Sequence, residues 1–320
     1  DTDGVTPISP VFPTFATQIL RTTSSSATAL SQDDLLFAGA VWIDSIDGSD
    51  TNSGSQQDPV ATIAQGLIVG ATKNIKQYEL RGTLAFSSNP GPSEFDGFGG
   101  GATILLAVGA NFAKTVWRDV VFDGSVSGDF GLTSVSDEIQ IQKCFFNNGD
   151  TFTGIHGFIS RSTFDETIIQ PVANAPMVIS DCVGRTAASV PSLTIDGTAG
   201  AVDISVRRLA AGVKLQNITN ASAVLTVGVN EGKITLDDTI TAGTIVLRGT
   251  GTVVDNRTVF TATVINEVVD PVKIKETHTL LGLEKDNRVT ITPSGVDSQD
   301  GDIDIDFTGD GVNSTTMERQ

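Results

Sequence analysis

The chain has 320 residues, with 38 Asp plus Glu against 20 Lys plus Arg and a formal charge of −18 at pH 7. That balance excludes the basic footprint that nucleic-acid binding requires, and it argues against an anionic membrane surface as partner. The length suffices for one sizeable core or two smaller ones, and only 18% of residues are charged, too few for a charge-driven disordered chain. Thirty-three Gly, among abundant Thr, Ser, Val and Ile, point to an all-β protein with many turns. No run approaches about 18 consecutive apolar residues, so no membrane span is expected.

Residues 1–36 carry Pro7, Pro10 and Pro13, then T-T-S-S-S-A-T at 22–28, without a sustained period of 2 or 3.6. They read as an extended N-terminal arm, because Phe12, Phe15, Ile19 and Leu20 would be wasted in a pure linker. The chain opens on Asp1 with no charged-then-apolar segment, as expected if a leader was removed or if the numbering starts inside a longer chain. V-W-I-D at 41–44 is a short strand running into a turn-rich loop. In D-P-V-A-T-I-A-Q-G-L-I-V-G-A at 58–71, Asp58 is placed to cap a helix and Pro59 to open it. Val60, Ile63, Ala64, Leu67 and Ile68 form its buried face, and Gly70 closes it. The G-F-G-G-G at 97–101 follows a Pro/Gly loop rather than a strand and reads as flexible backbone, not a dinucleotide fingerprint.

From about 75 to 270, short strands alternate with Gly/Asn/Asp/Ser turns. R-D-V-V-F-D-G at 118–124, I-Q-K-C-F-F-N-N at 141–148, I-S-R-S-T-F-D-E at 159–166 and V-I-S-D-C-V-G-R at 178–185 echo one another. In each, an apolar residue (Phe122, Phe146, Phe164, Val183) precedes a turn residue (Asp123, Asn147, Asp165, Gly184). A period near twenty residues with irregular insertions predicts a solenoid. The rival, a β-sandwich, needs hairpins at intervals of about 8–12 residues, and two-residue N-G or D-G hairpin signals are nearly absent.

The segment W-I-D-S-I-D-G-S-D-T-N-S-G-S-Q-Q-D-P-V-A-T-I resembles the opening of right-handed parallel β-helix proteins of the pectin-lyase-like type. Asp47, Gly48, Asp50, Asn52, Gly54, Ser55, Pro59, Thr62 and Ile63 carry the match, while Ala61 and Gly66 depart from it. The resemblance implies a solenoid closed at one end by an N-terminal capping helix. H-T-L-L-G-L at 278–283, with V-T-I-T-P at 289–293 and a Gly/Asp/Thr tail, looks like a C-terminal module of phage structural proteins. The expected architecture is therefore an arm at 1–36, a right-handed parallel β-helix at 37–270 and a small β-rich C-terminal module at 271–320.

Asp123 and Asp165 share one phase two repeats apart, roughly 9.6 Å at the spacing of neighbouring strands. That lies near the upper end of the roughly 6.5–9.5 Å between the two carboxyls of an inverting glycosidase. Against it stands the ordinary use of Asp in turns. Aromatic sugar platforms are also scarce, Trp42, Trp117 and Tyr78 being the only Trp and Tyr. Asp119 and Asp129 lie nearby in sequence. Asp47, Asp50 and Asn52 present oxygen ligands at short spacing for Ca²⁺, but without the full Asp-rich pattern or the distal Glu; a loop held by side-chain-to-backbone bonds is the simpler reading. Asp302, Asp304 and Asp306 line one face of an alternating strand and Ile303, Ile305 and Phe307 the other; three such faces would meet a cation only if they surround a threefold axis. Cys144 and Cys182 fall two repeats apart, beyond disulfide reach, and are expected as free, buried thiols. His156 and His278 are expected to be structural. No cofactor is expected.

The resemblances imply a structural virion protein of a bacteriophage: a tail spike, a fibre, or a head or neck decoration. By the same resemblance it would be a homotrimer, meet other virion proteins through the N-terminal arm, and take a host surface polysaccharide as candidate ligand. The rival is a polysaccharide-cleaving hydrolase or lyase acting through Asp123, Asp165, Asp119 or Asp129. A third reading is a secreted bacterial surface protein.

Overall fold

Alternation of buried and exposed residues runs through most strands. In Gln77–Phe86, Tyr78, Leu80, Leu84 and Phe86 point inward, while Gln77, Arg81, Thr83 and Ala85 point outward. In the computed structural model the described residues are 37, 39–147, 149–185 and 190–270, together with the strands Leu20–Thr23, Ser26–Ala29, Thr290–Val296, Ile303–Thr308 and Thr316–Met317.

The strands between Val41 and Val269 pair in parallel with strands one turn away along the chain, giving a parallel β-solenoid of about nine turns. Three ladders run along it. The first joins 41–44, 77–80, 93–96, 115–118, 139–142, 157–160 and 176–180, and continues through 203–206, 224–227 and 244–247 to 263–266. The second joins 82–86, 102–106, 120–123, 145–146, 163–164 and 183–184. The third joins 151–155, 167–171, 193–196, 213–216, 233–236 and 252–255.

Parallel register stacks like positions one above another. Along the first ladder Val41, Tyr78, Phe95, Trp117, Ile141, Ile159, Ile179, Val206, Val227 and Leu247 form one inward column, each at most 2% exposed. Its aromatic members lie nearly face to face, Phe95 on Trp117 at 4.2 Å and Tyr78 on Phe95 at 4.9 Å.

The sequence echo falls in register for three of its four members: Phe122, Phe146 and Phe164 are successive partners. The fourth is displaced by one. Gly184, not Val183, opposes Phe164, and Val183 is 45% exposed. A Cβ at Gly184 would lie 2.2 Å from Ser192 Oγ and 2.5 Å from Ala211 Cβ, so only the smallest residue fits there.

The helix, α1, spans Ile63–Lys73 and starts later than its sequence suggests. Thr62, not Asp58, is the N-cap; its hydroxyl accepts from the Gln65 N–H. Asn74, in the left-handed region, ends it, and Gly70 lies inside. The buried stripe is Ile63, Gly66 and Gly70, while Ala64 and Ile68 are exposed. The glycines let α1 close on the first turn: a Cβ at Gly66 would meet Ile43 Cδ1 at 2.4 Å, and one at Gly70 would meet Tyr78 Oη at 2.3 Å.

At the ends, Leu20–Thr23 pairs antiparallel with Ser26–Ala29, and Ile303–Thr308 lies between Thr290–Val296 and Thr316–Met317. The rest of the arm, His278 and Asp302 lie outside the described residues, as do the side chains of Asp304 and Asp306.

The corner between the first two ladders carries a column of non-glycine residues with positive φ: Asp119, Lys143, Arg161, Asp181 and Arg208, all between 51° and 57°. The N–H of Asp119, Lys143, Arg161 and Asp181 each donates to a carbonyl of the next turn (Gln142, Ser160, Ser180 and Arg207). These bonds hold the chain in a conformation that costs an L-residue roughly 1–2 kcal/mol. Arg161→Gly is therefore expected to leave stability unchanged or raise it by up to about 1 kcal/mol, and Arg161→Val to lower it by about 1–2 kcal/mol. Urea unfolding measures both; equal losses would show that the corner is not held left-handed.

Candidate functional site

Two of the candidate catalytic carboxylates accept from turn N–H groups, Asp123 Oδ1 from the Ser125 N–H and Asp129 Oδ1 from the Gly131 N–H. Asp165 is in phase with Asp123, with Asn147 between them, and its carbonyl accepts from the Gly149 N–H. Asp119 Oδ2 lies 3.9 Å from Lys143 Nζ. In the opening loop Asp50 holds the start of α1: Oδ1 accepts from the Ala61 and Thr62 N–H groups and Oδ2 from the Thr62 hydroxyl. Asn52 Nδ2 donates to the Pro59 carbonyl, and Asp47 pairs with Arg81 at 2.9 Å. Among the described residues no three His, Cys, Asp or Glu group to hold a metal.

The structure instead brings together residues from separate parts of the sequence. Because Val41 and Ile43 face inward, Trp42 faces outward, and Glu79 is its partner on the next strand. Asp96 is in turn the partner of Glu79. The G-F-G-G-G segment is not a loop after a loop: it lies within the strand Ser93–Leu106. There the register passes from Leu80↔Gly97 to Gly82↔Ala102, so five steps of one strand answer two of its neighbour and residues 98–101 bulge. Gly97 cannot carry a side chain, since a Cβ would lie 2.1 Å from the Asp119 carbonyl oxygen. Phe98, 54% exposed, stands edge-on to Trp42 with ring centroids 5.2 Å apart at 67°.

Trp42, Phe98, Glu79, Arg81, Asp44, Gln56 and Pro59 line a cleft of about 170 Å³. Arg81 Nη1 bridges Asp44 and Asp47, at 2.9 Å from each. Asp44 Oδ1 also accepts from the Ile46 and Asp47 N–H groups. The Trp42 indole N–H is buried and has no hydrogen-bond partner among the described residues. Burial, followed by the charge of Asp96, raises the Glu79 carboxyl above its ordinary range. Asp96 is raised as well, by burial first and then by Asp119, with Arg118 and Lys143 opposing. Two side-by-side carboxyls thus both resist ionisation beside the cleft.

No family model matches this chain, and neither a curated protein nor a solved structure does.

The remaining groups are structural. His156 is buried, with Nε2 2.8 Å from the Ser134 carbonyl oxygen. Trp117 Nε1 donates to Thr115 Oγ1, so of the two indoles only that of Trp42 faces a cleft. Cys144 and Cys182 are free and buried on turns two apart, with Ser162 between them. Burial pushes their thiols up to about 12 and about 11 respectively. Both are expected to resist a thiol reagent at pH 8 in the folded protein and to react together on unfolding; rapid labelling of the native chain would contradict that burial.

Arg208 grips Asp181 from the next turn, Nε to Oδ1 at 2.5 Å and Nη2 to Oδ2 at 2.7 Å. This pairing, helped by the Ser180 hydroxyl, holds the Asp181 carboxyl down at about 2. A depressed folded pKa stabilises fully above the unfolded value of about 4, and the gain is lost as pH falls through about 2. Asp181→Asn is therefore expected to melt below the parent at pH 6, with the gap closing between pH 4 and pH 2.

Proposed function

We propose that this chain is a structural protein of a bacteriophage virion, a tail spike, fibre or decoration, whose solenoid adheres to a host surface glycan. The observation that carries the reading is the outward ladder of the first sheet. Glu79, Asp96, Arg118 and Gln142, all half-buried, follow one another, one per turn, at intervals of about 4.8 Å, before the row sinks at the buried Ser160 and Ser180. Such a rigid row of polar groups suits an extended polyhydroxyl chain better than a compact small molecule. In this reading residues 1–36 contact neighbouring virion proteins. Helix α1 caps one end of a right-handed β-helix, and the segment beyond 270 or another copy covers the other, because open parallel edges invite pairing. The resemblance of residues 278–293 to a module of phage structural proteins supports this, and the resemblance of the opening segment to pectin-lyase-like β-helix proteins supports the solenoid that would carry it.

A polysaccharide-cleaving enzyme is the second reading. It is favoured by the paired, upshifted carboxyls of Glu79 and Asp96 rather than by Asp123 and Asp165.

Light scattering after gel filtration tests the first reading: a mass near three times 33.4 kDa is expected, and a clean monomer overturns the free-standing trimeric spike. A reducing-end assay on polysaccharides separates the two readings. No release is expected for an adhesin, whereas release abolished by Glu79→Gln or Asp96→Asn would establish the enzyme.

A further inference from the structure

We propose that the cleft between Trp42 and Phe98 is a subsite for one neutral pyranose unit. It rests on the glycan-binding reading above and gives that reading a place and a substrate class. Four observations converge on it. First, size: a cleft of about 170 Å³ matches a single six-membered ring, since a cavity of about 150 Å³ holds benzene. It is too small for the roughly 300–1,000 Å³ of ordinary ligand pockets. Second, the walls: Phe98, 54% exposed on its bulge, presents an apolar ring face to solvent beside the indole of Trp42. The C–H face of a sugar packs on such a ring while its hydroxyls point away.

Third, the polar groups: the buried Trp42 N–H is a donor still wanting an acceptor, and Glu79 and the Arg81 guanidinium offer an acceptor and further donors on the same cleft. A hydroxyl both donates and accepts, so one ring satisfies all three. Fourth, charge: Asp44 and Glu79 line the cleft against one cation, Arg81, which is already bound to Asp44 and to the neighbouring Asp47. A uronate or sulfated sugar would meet net negative charge with no free cation, so the ligand is neutral. Phe98 shields the indole edge-on in the unliganded chain. Its position is not locked by crowding, since a Cβ at Gly99 meets nothing within 4 Å and one at Gly101 meets only the Phe98 carbonyl, at 3.8 Å. Rotation of the Phe98 side chain on this glycine-flanked bulge uncovers the indole N–H while its ring stays as one wall of the cleft.

Tryptophan emission provides the test, because Trp117 is buried and stacked on Phe95 while Trp42 lines the cleft. The full chain is titrated with the methyl glycosides of glucose, galactose, mannose and N-acetylglucosamine, and with glucuronate and galacturonate. At least one neutral glycoside is expected to shift the emission saturably, and the uronates are not. Phe98→Ala, a change at an exposed position, is expected to weaken that glycoside about tenfold. Saturation-transfer NMR, which does not depend on the indole signal, is expected to lose the glycoside in Trp42→Phe. The subsite is overturned if no neutral glycoside gives a saturable shift, if uronates bind equally well, or if Trp42→Phe keeps the NMR signal. Co-sedimentation with host polysaccharide distinguishes the failures. Binding retained in both variants sinks this subsite and leaves adhesion along the ladder, whereas no binding by the parent chain sinks both.

Discussion

Everything in this molecule depends on parallel strands stacking in register at about 4.8 Å. At that spacing an inward side chain touches its counterparts one turn above and one below, so the core is a set of columns rather than a single cluster. The column from Val41 to Leu247 is aromatic near the start, at Tyr78, Phe95 and Trp117, and aliphatic from Ile141 onward. Flat rings suit this geometry because offset-stacked planes separated by 4–5 Å fill the gap between turns. The echoing Phe122, Phe146 and Phe164 pack more loosely on the second ladder, at 5.5 Å and 34° and then at 5.0 Å and 28°.

The same constraint governs the corners. To turn from one ladder to the next without losing register, five successive turns place a residue at positive φ, and the first four give its N–H to the turn beyond. Asp119 and Asp181 tolerate this conformation better than most residues, but Lys143, Arg161 and Arg208 do not. Charged side chains at the corner pair along the stack, as Asp181 does with Arg208 and Asp119 with Lys143. In the following turn the register shifts: Val206 and Leu209 answer Val227 and Val229, so the two residues Arg207 and Arg208 face a single Gly228.

Stacking also creates the chemistry. Outward residues from consecutive turns are forced into proximity whatever their charge, so Glu79 and Asp96 become neighbours; burial raises both carboxyls, and the charge of Asp96 raises Glu79 further. Where two strands disagree in length, the surplus has to leave the ladder. The bulge at 98–101 is that surplus, and it carries Phe98 to the edge of Trp42. The cleft is a by-product of a register mismatch in an otherwise regular stack.

The sequence by itself determined the class of the fold. Gly-rich turns, β-branched strands and an echo near twenty residues are local properties, and they specify a solenoid because each repeat must bury the same face. It also showed that Cys144 and Cys182 stand too far apart to bridge, since their spacing counts whole turns. It placed a helix after the opening loop but not its first residue: Asp50, eleven and twelve positions before the N–H groups it accepts from, binds the start of α1, so the cap falls to Thr62. The displaced fourth echo depended on Ser192 and Ala211 crowding Gly184, which no repeat pattern encodes. The cleft was decided by tertiary structure alone. Trp42, Glu79 and Phe98 belong to three different turns with no shared motif, and G-F-G-G-G reads as loose backbone until its neighbour is known. Periodic neighbours can be counted along a chain, but a site built across turns at a break in the period exists only once the register has been set.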